Sequence, residues 1–311
     1  MSEPKHISVL LRECIENLNI RPDGIYVDGT LGLGGHSYEI ASCLTTGRLI
    51  GIDRDETAIE RAGKRLECFK DRITLVHGNF SETSEILDDL GIEKVDGLLY
   101  DLGVSSPQLD EIGRGFSYMG DAPLDMRMDS GEALKASDIV NGYSEEKLNR
   151  IFWDYGEERY ARRISAAIIK YRAQKPIETT LELVDIIKSA LPSSALREKQ
   201  HPAKRCFQAI RIAVNDELGA VSRMMETVPD KLNIGGRLCV ISFHSLEDRI
   251  VKNGIAAREN GCTCPREAPV CTCGFVKTLR SVSRKPILPS EEETESNPRS
   301  RSAKLRVAER V

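Results

Sequence analysis

Short apolar runs alternate with longer amphipathic stretches over the first hundred residues of the chain. Runs typical of buried strands occupy residues 25–29, 49–53, 73–76 and 95–101. Stretches with a helical period follow the first three runs, at about 37–44, 57–69 and 81–90. Strands that alternate with helices in this way predict an α/β fold with a parallel, doubly wound sheet. The last ten residues, SAKLRVAERV, also alternate and predict an edge strand.

This alternation stops after the fourth predicted strand. A loop-like segment, two helical segments and one late strand follow, at 103–130, 133–195, 203–228 and 236–243. We therefore expect a helical domain at 103–202, inserted into an α/β domain that is formed by 1–102 and 203–311. Insertions often carry specificity, so its expected role is substrate recognition, and a purely stabilising appendage is the alternative.

Composition limits the classes of protein to which the chain can belong. The 311 residues carry a net charge of −4, so any nucleic-acid surface has to be a local basic patch. No apolar run approaches the roughly 20 residues that span a bilayer, and the N-terminus lacks the pattern of a signal peptide. Five cysteines are scattered through predicted helices and strands, as reduced thiols are: Cys14, Cys43, Cys68, Cys206 and Cys239. We expect a cytoplasmic protein.

A glycine-rich turn, DGTLGLGGHS, lies between the first predicted strand and helix, at residues 28–37. Its glycines let the backbone approach a ligand closely. Asp53 ends the second strand, where a carboxylate accepts hydrogen bonds from the ribose of an adenosine. This arrangement suits NAD and S-adenosylmethionine equally. However, Ser37 stands where a dinucleotide site needs a third glycine, and the anion Asp28 suits a sulfonium better than a pyrophosphate. S-adenosylmethionine is therefore the expected cofactor, and a nicotinamide oxidoreductase is the alternative.

Two more residues follow predicted strands at the same edge of the sheet. Phe80 comes after the third strand, where an aromatic ring can lie against adenine, although a phenylalanine is more often a core residue. Asp101 ends the fourth strand. Ligands of open α/β sheets bind beyond the carboxyl ends of the strands, so these residues should converge on one crevice.

Motifs along nearly the whole chain resemble those of a known family, the bacterial small-subunit rRNA cytosine-N4 methyltransferases (the MraW or RsmH family). The matching segments are 6–10, 28–30 with 34–37, 101–106, 114–117, 124–128, 201–205, 207–209, 211–212, 215–218, 242–249 and 297–302. The resemblance implies a Rossmann-like class I S-adenosylmethionine-dependent methyltransferase sheet with an inserted helical domain. It also implies methylation of the N4 amine of a cytosine in the decoding centre of 16S rRNA.

The same resemblance implies a set of cofactor contacts. They fall on Gly34, Gly35, His36, Asp53, Phe80, Asp101 and Gln108. His36 and Gln108 enter from the resemblance alone, whereas the other five also follow from the pattern of strands and turns. One motif departs from that of many DNA amino-methyltransferases, which carry a Pro-Pro-aromatic sequence after the fourth strand. Here Asp101 is followed by Leu-Gly-Val, so that motif's way of holding the amine cannot be assumed.

Methylation of a cytosine amine needs a hydrogen-bond acceptor, because the nitrogen lone pair is delocalised into the ring and the amine is a poor nucleophile. Asp101 is the first catalytic candidate, although a cofactor role competes for it. His244, in Ser-Phe-His-Ser after the fifth strand, is the second. A buried structural histidine is an equally weighted interpretation of His244.

Basic residues form three groups that could contact 16S rRNA, which we expect to be bound within the 30S subunit. The groups are Arg159, Arg162 and Arg163; Lys199, Lys204, Arg205 and Arg211; and Lys277, Arg280, Arg284, Lys285, Arg299, Arg301, Lys304 and Arg306. Runs of charge are usually solvated faces, but in an acidic chain the C-terminal group is the favoured RNA track. The sequence leaves open a homodimer, and also an RNA-binding assembly factor without catalysis.

Four thiols lie within twelve residues near the C-terminus: Cys262, Cys264, Cys271 and Cys273. Tetrahedral zinc takes four such ligands. The C-x-C spacing is tighter than the usual C-x₂-C, so exposed reduced thiols are the favoured interpretation. The sequence leaves the presence of a metal undetermined.

Overall fold

The computed structural model describes residues 8–264 and 272–311, and the chain divides into two compact units. The first unit combines Met1–Gly103 with Leu218–Val311, and the second is Val104–Glu217. Within the described residues, no helix is long and apolar enough to cross a membrane.

A seven-stranded sheet forms the centre of the first unit. Its strands are β1 (Ile25–Asp28), β2 (Arg48–Asp53), β3 (Ile73–His77), β4 (Val95–Asp101), β5 (Leu232–Ser242), β6 (Leu279–Ser281) and β7 (Lys304–Arg310). They lie in the order β3-β2-β1-β4-β5-β7-β6. Strands β1 to β5 pair in parallel, and β7 is antiparallel to both of its neighbours. This arrangement confirms the expected α/β fold with a doubly wound, largely parallel sheet.

Fourteen α-helices occur in the described part of the chain. In chain order they are α1 (Leu11–Leu18), α2 (Gly35–Cys43), α3 (Glu56–Arg65), α4 (Thr83–Asp89), α5 (Ser106–Asp110), α6 (Ala136–Gly142), α7 (Glu145–Asp154), α8 (Ala161–Arg172), α9 (Thr180–Ala190), α10 (Ser193–Leu196), α11 (Lys204–Asn215), α12 (Glu217–Thr227), α13 (Ser245–Asn260) and α14 (Glu291–Ser296). Helices α1 and α13, which flank predicted strands, were not expected from the sequence pattern.

The sheet of the first unit is buried on both faces. Successive residues of a strand point to opposite faces. Accordingly, Leu98 packs into one apolar cluster together with Val27, and the next residue, Leu99, packs into another together with Tyr26. Burial on both faces explains why the central strands are continuous apolar runs rather than alternating ones.

The second unit is helical and has an apolar core of its own. Phe152 of α7, Ile164 of α8, Ile187 of α9 and Phe207 of α11 belong to one buried cluster. Helix α11 packs on α7 and α6, so it lies inside this unit. The unit therefore ends at Glu217, and the expected domain boundary at Pro202 falls short of it.

Strand β7 corrects one expectation about the C-terminus. It lies between β5 and β6 rather than at the edge of the sheet. The short strand β6, which the sequence did not reveal, forms the edge instead. Three residues give too little periodicity to be recognised in a segment rich in arginine, serine and proline.

Candidate active site

The parallel strands bring several polar residues to one edge of the sheet in the first unit. Asp28, Asp53 and Asp101 are the last residues of β1, β2 and β4. Asp53 pairs in register with His77 at the end of β3, and Asp101 pairs with Ile241 near the end of β5. The sequence-predicted acidic residues therefore do line the carboxyl ends of neighbouring strands.

Asp28 is buried and holds the glycine-rich turn in place. Its Oδ2 accepts a hydrogen bond of 2.7 Å from Ser37 Oγ, and its Oδ1 accepts one of 3.2 Å from the backbone N–H of Thr30. The side chain is only 1% exposed, and burial raises its pKa to about 6. The hydroxyl of Ser37, where a dinucleotide site would have glycine, thus serves to bind Asp28.

Gly34 and Gly35 occupy backbone positions that other residues would not fit. Gly34 precedes α2 with a φ of +72°, in the left-handed region that favours glycine. A Cβ atom on Gly35 would lie 1.9 Å from Ser8 Oγ. Both glycines therefore let neighbouring side chains pack closely against the start of α2, and their contact with a cofactor stays a prediction.

Asp53 is tied to the same turn by its carboxylate. Its Oδ2 accepts from the backbone N–H of Gly32 at 2.7 Å, and its Oδ1 accepts from the backbone N–H of Asp55 at 2.9 Å. Burial raises the pKa of Asp53, and these two hydrogen bonds oppose that shift. A carboxylate oxygen can accept more than one hydrogen bond, so both oxygens keep capacity for a ribose hydroxyl.

His36 and Phe80 both make contacts within the protein. The Nε2 atom of His36, a residue only 5% exposed, lies 3.0 Å from the carbonyl oxygen of Val9. The Phe80 ring is partly buried and meets Tyr100 edge to face, with centroids 6.0 Å apart. Phe80 thus has the core contact expected of a phenylalanine, and its role against adenine stays a prediction, as does a cofactor contact for His36.

Asp101 has a buried acceptor atom without a partner. Its Oδ1 atom forms no hydrogen bond with any described residue, while its backbone N–H donates to Thr30 Oγ1 at 2.6 Å. Burial, followed by the charges of Asp28 and Glu247, raises the pKa of Asp101 well above the usual carboxyl value. A buried acceptor that the protein leaves unsatisfied is costly, and it suits a ligand or substrate that brings its own N–H group.

His244 caps helix α13. Its Nδ1 atom accepts from the backbone N–H of Glu247 at 3.5 Å, and Glu247 Oε2 accepts from the backbone N–H groups of Phe243 and His244. The Nε2 atom of His244 lies 3.2 Å from Glu247 Oε1 but has no hydrogen bond of acceptable geometry. The structural interpretation of His244 therefore has direct support, and its catalytic role stays a prediction.

Glu247 is a buried acidic residue near the candidate site that the sequence pattern did not indicate. It is 1% exposed, completes the capping box of α13 and is one cause of the raised pKa of Asp101. The available signal was a glutamate three residues after the capping position, which is the signature of a capping box.

Gln108 lies in the second unit, within the short helix α5. Its side chain is only 5% exposed, and its Oε1 atom accepts a 3.1 Å hydrogen bond from the backbone N–H of Ser105. The resemblance to a known family remains the basis for its cofactor role.

Half of the C-terminal basic group, which was the favoured RNA track, is engaged in ion pairs. Lys304 and Arg306 bind Asp248, Arg280 binds Glu309, and Lys277 binds Glu259. By contrast, Arg162 and Arg163 on α8 have exposed side chains. Ion pairs reduce the charge that a surface offers to phosphate, so these four residues are weaker candidates for RNA contact than Arg162 and Arg163 are. An RNA track on the rest of the C-terminal group stays a prediction.

A cleft of about 360 Å³ between α8 and α9 adds to this basic surface. Its lining residues are Arg163, Ala167, Lys170, Tyr171, Gln174, Ile186, Ser189 and Ala190. Among the described residues, two cations and one aromatic ring border it, and no carboxylate does. Neither Arg163 nor Lys170 has an ion-pair partner among residues 8–264 and 272–311. Such a lining matches the phosphates and bases of single-stranded RNA.

The thiol cluster is partly described. Cys262, Cys264 and Cys273 lie together, whereas Cys271, the fourth member of the expected set, lies outside the described residues.

Comparisons with known proteins give a consistent result. The model of the MraW methylase family matches residues 3–311. Proteins named "Ribosomal RNA small subunit methyltransferase H" are 56% identical over 307 residues in Clostridioides difficile (98% of this chain, 99% of that protein) and in Brevibacillus brevis (98% of each). The protein named "Ribosomal RNA small subunit methyltransferase H 2" in Agathobacter rectalis is 57% identical over 310 residues, which are 99% of each chain.

Solved structures give a weaker likeness. A crystal structure titled as a putative rRNA-methylase from Clostridium thermocellum is 14% identical, with a TM-score of 0.44, and covers 98% of this chain and 100% of that one. The fold class therefore rests on the strand order described above.

Proposed function

Because this chain belongs to the MraW methylase family and is an S-adenosylmethionine-dependent rRNA methyltransferase, we propose that it methylates the N4 amine of a cytosine in the decoding centre of 16S rRNA. Membership of this family removes the nicotinamide oxidoreductase alternative and disfavours an assembly factor without catalysis. The further proposals concern the residues that bind the cofactor and catalyse methyl transfer, and whether the 16S rRNA is methylated within the 30S subunit.

The unpartnered Oδ1 atom of Asp101 is the observation that carries the catalytic proposal. The cytosine amine needs an acceptor that draws electron density onto nitrogen and then takes the proton that the methylated amine loses. Asp101 Oδ1 is a buried acceptor at the end of β4, and no described residue satisfies it. We assign it this role. His244, whose Nε2 atom likewise has no hydrogen bond to any described residue, is the second candidate.

S-adenosylmethionine supplies the methyl group when it is bound, and the residues at the strand ends suit it. Gly34 and Gly35 belong to the proposed set because they lie in the glycine-rich turn that follows β1. Asp53 keeps acceptor capacity for ribose hydroxyls, and Phe80 offers a partly exposed ring to adenine. The acidic residues Asp28 and Asp101 favour a cationic sulfonium and ammonium group. His36 and Gln108 complete the proposed set on the ground of the family resemblance.

RNA recognition is assigned to the helical unit. A base has to leave its stack to reach a methyl donor, which costs least in a single-stranded loop. The cleft between α8 and α9 offers Tyr171 for stacking and Arg163 with Lys170 for phosphates. The proposed substrate is the 30S subunit, so a cytoplasmic location is also proposed. A homodimer stays a prediction that sedimentation equilibrium can test.

Transfer of label from S-adenosylmethionine tests the proposed substrate. The protein is incubated with 30S subunits from cells that lack this methyltransferase, with protein-free 16S rRNA, and with 50S subunits as the control. We expect label in the 16S rRNA of the 30S subunits, much less in protein-free RNA and none in 50S subunits. Equal labelling of 30S and 50S subunits would contradict a specific site, and efficient labelling of protein-free RNA alone would contradict the 30S subunit as substrate.

A further inference from the structure

Three cysteine side chains converge in the segment that connects α13 to β6. Cys262 and Cys264 follow the end of α13, and Cys273 precedes β6. The Sγ atoms of Cys262 and Cys273 are 3.6 Å apart, and the three Sγ atoms all lie within 4.8 Å of one another. Ten residues separate Cys262 from Cys273 in the sequence. Folding of the chain therefore brings these two thiols together, and their closeness does not follow from neighbouring positions in the sequence.

We propose that Cys262, Cys264 and Cys273 bind a structural Zn²⁺ ion. Zinc bonds thiolate sulfur at about 2.3 Å, which in a tetrahedral site places two sulfur atoms about 3.8 Å apart. The observed separation of 3.6 Å between Cys262 and Cys273 is close to this value. Thiolates favour zinc strongly over the hard cations magnesium and calcium, which take oxygen ligands.

The backbone around the cluster supports thiolate ligands. The N–H group of Thr272 donates to Cys264 Sγ at 3.2 Å. Gly274, directly after Cys273, has a φ of +69°, so the chain turns sharply next to a proposed ligand. Hydrogen bonds from backbone N–H groups to sulfur orient metal ligands and stabilise their negative charge.

A metal would also stabilise the exposed residues described on either side of the cluster. Cys262 and Cys273 are exposed, and Val276 is 73% exposed. Side chains as exposed as these contribute little apolar burial, and structural metals replace that contribution in small loops. The segment leads directly into β6, the short edge strand, so the ion would hold this edge of the sheet in place.

Metal analysis of the full-length protein tests the proposal. The protein is prepared without chelators, and its zinc content is measured by inductively coupled plasma mass spectrometry. We expect about one zinc ion per chain in the wild type and a loss of most of it in the Cys262→Ser/Cys273→Ser variant. The matched control is Cys43→Ser/Cys68→Ser, which removes two exposed cysteines elsewhere and should keep its zinc. Cys271 is left in place in every variant.

A cobalt titration of the wild type keeps the test independent of whether the variant folds. Protein stripped of metal should bind one Co²⁺ ion with the intense absorption of thiolate-to-cobalt charge transfer, and zinc should displace it. Three results would overturn the proposal: wild-type protein that is metal-free and gives no charge-transfer band, a folded double variant with unchanged zinc content, or a disulfide between Cys262 and Cys273 in protein handled under reducing conditions.

Discussion

At the scale of single residues, the chemistry is concentrated in buried carboxylates at the ends of two adjacent strands. Asp28 ends β1 and Asp101 ends β4, which pair in parallel. The two differ in one respect: Ser37 and Thr30 satisfy Asp28, whereas Asp101 Oδ1 has no partner in the described chain. A satisfied buried acid supports the turn, and an unsatisfied one is available to a substrate.

Asp28 should make the free energy of unfolding depend on pH. Its pKa is raised from 3.8 to about 6 by burial, so between these pH values the folded chain binds a proton that the unfolded chain has released. The free energy of unfolding therefore falls as pH rises through this window, by about 3 kcal/mol in total. Asp28→Asn, which is neutral at every pH, should remove this contribution in urea denaturation at pH 4, 5, 6 and 7. The control is the exposed Asp71→Asn, and a pH dependence equal to wild type in Asp28→Asn would contradict the assignment.

Asp101→Asn should lower kcat by about 100-fold or more, because a neutral amide cannot take the proton from the amine. In the wild type, kcat/KM should fall with decreasing pH through a pKa above the usual carboxyl range, since burial and the charges of Asp28 and Glu247 raise the pKa of Asp101. Rates with 30S subunits are compared with S-adenosylmethionine affinity from calorimetry. Loss of cofactor binding with unchanged kcat at saturation would instead assign Asp101 to the cofactor.

At the scale of elements, His244 has two possible roles, as the cap of helix α13 and as a catalytic group, and two substitutions can distinguish them. Loss of the cap in His244→Ala should cost about 0.5–2 kcal/mol of stability, and His244→Asn should restore most of it, because asparagine is among the best capping residues. If His244 also acts on the substrate, as we propose, His244→Asn remains slow although it is stable. Stability is measured by urea denaturation and kcat by methyl transfer. A His244→Asn variant with wild-type stability and wild-type kcat would leave the residue with a capping role alone.

Helix α8 should contribute to RNA affinity through its free cations. Arg163→Gln/Lys170→Gln should raise KM for 30S subunits severalfold and lower the slope of log affinity against log salt by about 2, one for each lost phosphate contact. The affinity for S-adenosylmethionine should not change. The matched control is Arg150→Gln/Arg197→Gln, which removes the same charge from exposed positions of the same unit outside the cleft. Equal effects of the two variants would indicate nonspecific attraction rather than a binding cleft.

Elements with strong periodicity were predictable from the sequence, and those defined by long-range packing were not. The limits 95–101 of β4 agree with the structure, because an apolar run buried on both faces is bounded by polar residues. Strand β7 was recognised as a strand but placed wrongly at the edge. Its partner β6 has three residues, and its position depends on pairing with a segment almost thirty residues away in the chain.

At the scale of the whole molecule, the sequence predicted two units and the start of the second one. The second unit begins at Val104, close to the expected residue 103, since the alternation of strands and helices stops there. Its end was misplaced, because the helical patterns before and after Pro202 look alike in the sequence. Only the packing of α11 on α6 and α7 assigns it to the helical unit. For the candidate site, Asp28, Asp53 and Asp101 were predictable from the strand ends. The influence of the Glu247 charge on the pKa of Asp101 depends on their proximity in the fold, which periodicity does not reveal.

In the proposed mechanism, the protein transfers a methyl group to a cytosine amine, and Asp101 accepts the proton of that amine. Nucleoside analysis of the reaction product tests this mechanism most directly. 30S subunits from cells that lack this methyltransferase are incubated with S-adenosylmethionine and either wild-type protein or Asp101→Asn, and the 16S rRNA is digested and analysed by liquid chromatography and mass spectrometry. We expect N4-methylcytidine with the wild type and little of it with Asp101→Asn at saturating cofactor. A methyl group on another nucleoside, or equal N4-methylcytidine from both proteins, would contradict this mechanism.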